Sequence, residues 1–241
     1  MIGILCATPE ELTALRDRLH VAPEPRTFGP TRVWTGRHGG GEIALAQSGI
    51  GKVNAAAAAT ILLAEFGAGS LIFSGVAGGL NPRLGVGQVL LGARLAIHDY
   101  GMVSQGRFTP TASGVIPVGA PTLTELAAVS PDVAGVLARL KAQMAGRLEA
   151  PATLGAITTA DYFLNCPQTR DELHARLGAD AIDMESGAVA QIADEWDRPL
   201  YVIRTLSDLA GEDSHMDYPR LAAMAARNSA LCVEELLAIL A

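Results

Sequence analysis

Lysine is nearly missing from this chain. Of 18 basic residues only Lys52 and Lys141 are lysines, against 25 acidic residues and a formal charge of -7. Scattered arginines on an acidic chain do not make the basic face that phosphate neutralisation needs, which argues against nucleic acid as the main partner. The arginine skew and the many alanines read as a genome-wide bias and not as a functional signal. Cysteine is scarce as well: Cys6, Cys166 and Cys232 are far apart and odd in number, which argues against a disulfide scaffold and suits a reducing compartment. No HExxH and no paired-cysteine spacing occurs, so no metal is implied. Although 49% of residues are hydrophobic, no apolar run approaches the ~18 residues of a membrane span. The opening MIGILCATPEEL passes from apolar to acidic residues without a basic segment, which reads as a first strand and not a signal peptide. These absences predict a soluble, cytoplasmic protein, without a membrane partner, that acts on a small molecule.

Nucleotide motifs are missing too. The stretch Ser48 to Asn54, SGIGKVN, lacks the further glycine and the Ser or Thr of a phosphate loop, since Ala46 and Val53 stand there. Gly75 to Leu80, GVAGGL, does not have the GxGxxG spacing of a dinucleotide site. Its glycines suit a tight turn or a backbone lying close against a ligand. No cofactor is implied.

What is present is an α/β pattern in a length suited to one large domain. Met1 to Cys6 is a short buried strand, and Thr8, Pro9, Glu10 and Glu11 carry helix-starting chemistry: a cap, a first-turn proline and acids at the positive dipole end. Thr31 to Gly36 and Glu42 to Gln47 read as strands joined by a glycine turn. An alanine-rich helix to about Phe66 follows SGIGKVN. Leu71 to Ser74, Val86 to His98 and Ala152 to Ala160 read as further strands. Asp132 to Met144, Gln168 to Leu177 and Tyr218 to Leu240 read as helices, with Leu209 to Met216 a polar loop. Met102 to Pro121, rich in Gly, Pro, Ser and Thr, reads as a lid or a subunit contact.

Ala181 to Asp208 is the organising stretch: an Asp183-Met184-Glu185 triplet, a small-residue segment, then the apolar run Leu200 to Leu206 ending at Ser207-Asp208. In open α/β sheets ligands sit beyond the carboxyl ends of strands, which puts Asp208 in place for chemistry. Glu11, Glu185 and Asp208 thus stand at or beside element ends, with Phe163 and Tyr218 as edge aromatics. Glycosidic cleavage needs a proton donor for the leaving group and a base for water. A carboxylate grips a vicinal diol, and aromatic rings stack on bases. The parts suit a nucleoside.

In order along the chain, IGILCATPEEL, SGIGKV, SGVAGGL, ADYFLN, IDMES and VIRTLSD resemble the 5'-methylthioadenosine/S-adenosylhomocysteine nucleosidases of the purine nucleoside phosphorylase superfamily. The resemblance spans nearly the whole chain. It implies a single three-layer α/β/α domain of nucleoside phosphorylase-like fold, with a twisted, mixed but mostly parallel central sheet partly closed into a barrel, and a homodimer. The implied activity is hydrolysis of 5'-methylthioadenosine, S-adenosylhomocysteine or 5'-deoxyadenosine to release adenine. Glu11 would be the base on the attacking water, Arg204 would help hold that water, and Asp208, oriented by Ser207, would protonate N7 of the base. Glu185 would take the ribose hydroxyls beside Met184, Phe163 would stack on adenine, and the Leu164 backbone would read its edge. Ile50, Met184 and Tyr218 would line the 5'-alkylthio pocket, with Val76, Ala77, Gly78 and Asp183 completing the substrate-binding set. Val76 stands where many members carry serine. Futalosine-type nucleosides, phosphorolysis and a non-catalytic nucleoside-binding role are the alternatives. The acidic Thr8-Pro9-Glu10-Glu11 segment, where phosphorylases carry a Gly-Asp-Pro pattern, repels phosphate.

Overall fold

The apolar runs become the middle of one ten-stranded sheet, in a computed structural model that describes residues 1–115, 118–119, 122–211 and 213–241. The strands are β1 (Ile2–Cys6), β2 (Arg26–Phe28), β3 (Thr31–His38), β4 (Gly41–Gln47), β5 (Ser70–Gly79), β6 (Val89–Ile97), β7 (Gly101–Ser104), β8 (Arg107–Pro110), β9 (Ala127–Ala128), β10 (Thr153–Thr159), β11 (Ala181–Asp183) and β12 (Leu200–Asp208). The six helices among the described residues are α1 (Pro9–Arg16), α2 (Lys52–Phe66), α3 (Pro131–Gln143), α4 (Pro167–Leu177), α5 (Ser186–Glu195) and α6 (Ser214–Leu240). None is long and apolar enough to cross a membrane.

The sheet runs β11-β10-β6-β12-β5-β1-β4-β3-β2, with β9 on β6 and β7-β8 a separate hairpin. β5 lies between β1 and β12 and is parallel to both. Arg204 is level with Gly75, and Leu5 with Phe73, so the three strands discharge their chains at one edge. β5 also pairs antiparallel with β11 through Gly78 and Gly79.

Alternation along these strands feeds two cores. Ile4, Ile72, Tyr201 and Ile203 pack with side chains of α1, α3 and α6, while Leu5, Leu71, Phe73 and Val202 pack with α2 and α5. This is the period-two pattern of a sheet covered on both faces, and each fully buried aliphatic contributes about 1.5–3 kcal/mol. The α2 face, Ala55, Ala58, Ala59 and Leu62, is small enough to bring that helix close to the sheet.

Three expectations change. β5 continues through the glycines to Gly79 instead of ending at Ser74, because β12 and β11 pair with that segment from both sides; ladder context overrides low strand propensity. The long 102–121 segment holds the β7-β8 hairpin, while residues 116, 117, 120 and 121 of that proposed lid or subunit contact lie outside the described residues. Helix α6 opens at Ser214, inside the stretch read as loop.

Candidate active site

Thr8 and Glu11 form a capping box at the start of α1. The Thr8 hydroxyl accepts from Glu11 N–H at 3.3 Å, and Glu11 Oε2 accepts from the N–H groups of Thr8 at 3.0 Å and Ala7 at 2.7 Å. Capping uses only one carboxylate oxygen. The other, Oε1, accepts the Val76 N–H at 3.0 Å across the sheet edge. Burial drives the Glu11 pKa up, opposed by the Arg204 charge and the three backbone donors.

Arg204 interrupts the apolar run of β12 and is fully buried. Its Nε donates to Asp183 Oδ2 at 2.9 Å and its Nη2 to Glu185 Oε2 at 3.3 Å, and its guanidinium lies 4.1 Å over the Phe73 ring. A buried charge of this kind persists only when paired. Its Nη1 donates to no protein atom among the described residues. A Cβ built on Gly75 would stand 2.1 Å from that Nη1 and 2.5 Å from Glu11 Oε1, so an acid and a cation converge on one point above β5.

The acidic triplet divides its labour. Asp183 accepts from Thr159 Oγ1 at 2.6 Å, from Arg204, and from the backbone N–H groups of Glu185 and Ser186 and the Ser186 hydroxyl. Its lone pairs are taken by protein donors. Glu185 accepts from Gly51 N–H at 3.0 Å through Oε1. Its pKa is pushed up to about 7, first by burial and then by the neighbouring Asp183 and Glu11 charges, against the pull of Arg204. Met184, between them, is partly exposed.

At the end of β12 the Ser207 hydroxyl donates to Asp208 Oδ2 at 3.0 Å, and Ala210 N–H donates to Oδ1 at 2.9 Å. Asp208 Oδ1 lies 3.1 Å from the Cβ position of Gly78. Glu11 and Asp208 therefore abut the same strand three residues apart, roughly 10 Å along β5. Above this edge the rings of Phe163 and Tyr218 meet edge-to-face, 6.0 Å apart. Burial and the surrounding carboxylates, Glu11 first among them, push the Tyr218 hydroxyl up to about 12. The Ala77 side chain is buried. The Leu164 side chain is buried in a core with Leu173 of α4. Ile50 is exposed, one residue before Gly51.

Sequence reading missed a brace beside this site. Lys52, seen only as part of a failed phosphate loop, pairs with Asp99 and, at 3.5 Å, with Asp161. Asp161 Oδ1 accepts the Lys52 N–H at 2.8 Å, and Asp99 Oδ2 accepts the Asp161 N–H at 2.8 Å. Next to it His98 bonds Thr158 and Tyr162 through its two ring nitrogens, and burial lowers its pKa to about 4. No local sequence signal marks it, since it is the parallel register of Ile97 with Thr159 that makes the HDYG and ADYFLN segments neighbours as they leave the sheet.

This fold, with buried acids around an arginine at the strand ends, defines the class to which comparison also leads: residues 1–238 match the model of the phosphorylase superfamily. The chain is 37% identical to the 5'-methylthioadenosine/S-adenosylhomocysteine nucleosidase of Mycobacterium bovis over 252 residues, covering 99% of this chain and 97% of that protein. It is similar to the crystal structure of the same nucleosidase from Neisseria meningitidis in complex with methylthio-immucillin-A, with a TM-score of 0.83, 30% identity and 98% of each chain covered. It is also similar to the futalosine hydrolase of Helicobacter pylori, with a TM-score of 0.84, 27% identity, and 98% and 96% of the two chains covered. The chain belongs to the phosphorylase superfamily and, within it, to the 5'-methylthioadenosine/S-adenosylhomocysteine nucleosidases.

Proposed function

We propose that this chain hydrolyses the N-glycosidic bond of 5'-substituted adenosines, such as 5'-methylthioadenosine, S-adenosylhomocysteine and 5'-deoxyadenosine, and releases adenine. The observation that carries this reading is the pair of buried carboxylates, Glu11 and Asp208, set against Gly75 and Gly78 of one strand. The Tyr218 hydroxyl feels both of these charges together with that of Glu185, which supports a single site with water on the Glu11 side of a sugar and the base on the Asp208 side.

Glu11 takes the proton of the attacking water. Burial raises its pKa and so its basicity, while three N–H donors keep the carboxylate form accessible. Arg204 steadies the water through Nη1. Asp183, expected in the substrate-binding set, holds Arg204 in place. Glu185 accepts the 2' and 3' hydroxyl protons of the ribose, next to Met184. Asp208, aligned by Ser207 and Ala210, gives a proton to N7, which makes adenine a neutral leaving group. Phe163 stacks on the base, the Leu164 backbone reads its edge, Val76, Ala77 and Gly78 form the floor, and Ile50, Met184 and Tyr218 face the 5' substituent. Support for one three-layer domain with a partly closed barrel comes from the helices on both sheet faces and from the β5–β11 pairing. A cytoplasmic homodimer belongs to the same reading.

The test is product analysis on a nucleoside panel with and without phosphate. Free adenine and a reducing sugar, independent of phosphate, are expected. Glu11→Gln and Asp208→Asn each lose about 10²–10⁴-fold in turnover while still binding adenine nucleosides. Phosphate-dependent ribose 1-phosphate would move the chain to the phosphorylases, and preferred cleavage of futalosine would move it to the futalosine hydrolases.

A further inference from the structure

One buried serine on the closing helix reaches the catalytic edge without approaching substrate. Ser229 lies inside α6 and is fully buried. A serine in a helix interior ordinarily bonds back to its own helix or to water. This hydroxyl instead donates to the carbonyl oxygen of Gly75 on β5 at 2.7 Å. Because a serine has one proton to give, the 2.7 Å contact between Ser229 Oγ and Thr205 Oγ1 must run from Thr205 to Ser229. The peptide whose carbonyl Ser229 holds is the peptide whose N–H, that of Val76, donates to Glu11 Oε1 at 3.0 Å. Thr205, Ser229, the Gly75–Val76 peptide and Glu11 thus form one directional chain of hydrogen bonds. Donation to a peptide carbonyl polarises that amide and strengthens its N–H as a donor.

We propose that Ser229 is a positioning residue for Glu11, acting through the Gly75–Val76 peptide, with Thr205 orienting its hydroxyl. The inference rests on Glu11 being the general base. The peptide plane is held at both ends, so the oxygen of Glu11 that faces Arg204 Nη1 cannot rotate away. Glycine at 75 is what lets this plane lie against the guanidinium. The N–H of Val76 also favours the ionised carboxylate, so weakening it moves the ionisation of Glu11 upward. The other charged and titratable groups that feel Glu11, namely Cys6 on β1, Arg204 on β12, Glu185 at the start of α5 and Tyr218 on α6, are unchanged in the variants that test this.

The experiment follows kcat against pH at saturating substrate, where Glu185 is engaged by ribose, for wild type, Ser229→Ala, Ser229→Thr, Thr205→Val and Glu11→Gln. Ser229→Ala is expected to lower kcat about tenfold with KM within about twofold, and to move the acid limb up by about 0.5 pH unit. Ser229→Thr, which keeps the hydroxyl, restores the wild-type limb. Thr205→Val keeps its volume and loses one donor, so it shifts the limb in the same direction by less; it carries the test if Ser229→Ala does not fold. A fall in kcat with an unmoved acid limb, in Ser229→Ala or Thr205→Val, would mean packing alone and overturn the proposal. Wild-type behaviour of Ser229→Ala beside a dead Glu11→Gln removes the role of Ser229 and leaves the base in place. Near wild-type turnover of Glu11→Gln removes the base assignment and this inference with it.

Discussion

Gly75→Ala adds one methyl group where Arg204 and Glu11 converge. Its Cβ would lie 2.1 Å from Arg204 Nη1, and 2.5 Å and 2.9 Å from Oε1 and Cδ of Glu11, all well inside the ~3.5–4.0 Å of favourable contact. Neither partner has room to give. The guanidinium is tied to Asp183 and Glu185, and the carboxylate is held by three backbone N–H groups. Gly75 does not have a positive φ, so alanine is unstrained in the backbone and the whole effect is steric. Overpacking of this kind costs about 1–3 kcal/mol, and at about 2–4 °C per kcal/mol for a chain of this size the melting temperature falls by roughly 2–12 °C. The larger effect is on chemistry, because displacing the proposed base and its guanidinium forfeits about 10²–10⁴-fold in turnover. Adenine release and a thermal melt measure the two effects on one preparation. Gly85→Ala is the control: its Cβ meets nothing within 4 Å, and it should match wild type in both assays. Turnover of Gly75→Ala within about threefold of wild type, in folded protein, would refute the convergence of Glu11 and Arg204 on that point.

With Glu185 pushed up to about 7, the carboxylate proposed to bind the ribose is lost as pH falls through that value, so KM should rise below it while kcat at saturation changes less. Glu185→Gln should raise KM about 10–100-fold at pH 8. Its effect on stability has the opposite sign: a carboxyl whose folded-state pKa lies above its unfolded value supports folding below the ordinary glutamate range and loses that support as pH rises through about 7. Melting curves should therefore favour Glu185→Gln over wild type more at pH 8.5 than at pH 6. Lys52→Met removes the cation shared by Asp99 and Asp161 and should raise KM about 3–10-fold with a smaller change in kcat, read by steady-state kinetics. Gly135 sits exposed inside α3 with open space at its Cβ, so Gly135→Ala should raise stability by about 0.5–1 kcal/mol in denaturant titration with turnover unchanged.

How legible the molecule was depends on how local each signal is. β1 and the start of α1 declare themselves within a dozen residues, because an apolar run, a Thr cap and a first-turn proline need no partner to be read. Asp208 was legible as a carboxylate ending an apolar strand. The glycine run of β5 was not, since glycine has little strand preference and the segment is extended only because β12 and β11 flank it. Arg204 was named only through the resemblance, and it is the carboxylates of Asp183 and Glu185 beside it that explain a charge in a buried strand. Lys52, Asp99 and Asp161 span more than a hundred residues: the register of β6 with β10 makes Asp99 and Asp161 neighbours, and the start of α2 brings Lys52 to both. Ser229 is one polar residue on an amphipathic helix, and nothing in periodicity separates a hydroxyl aimed at a strand carbonyl from one aimed at solvent. Asp183 entered the substrate-binding set through the resemblance, and nothing local in the sequence showed that its oxygens also hold Thr159, Arg204 and the start of α5.

β12 threads between β5 and β6, two strands made more than a hundred residues before it. A chain emerging from the ribosome therefore carries an open slot through the centre of its sheet until β12 is delivered. Two unsatisfied edges wait side by side, and pairings so distant in sequence form slowly. Activity in this enzyme has to wait for β12, and any product cut short before residue 200 lacks Arg204 and Asp208 and is prone to stick to its neighbours.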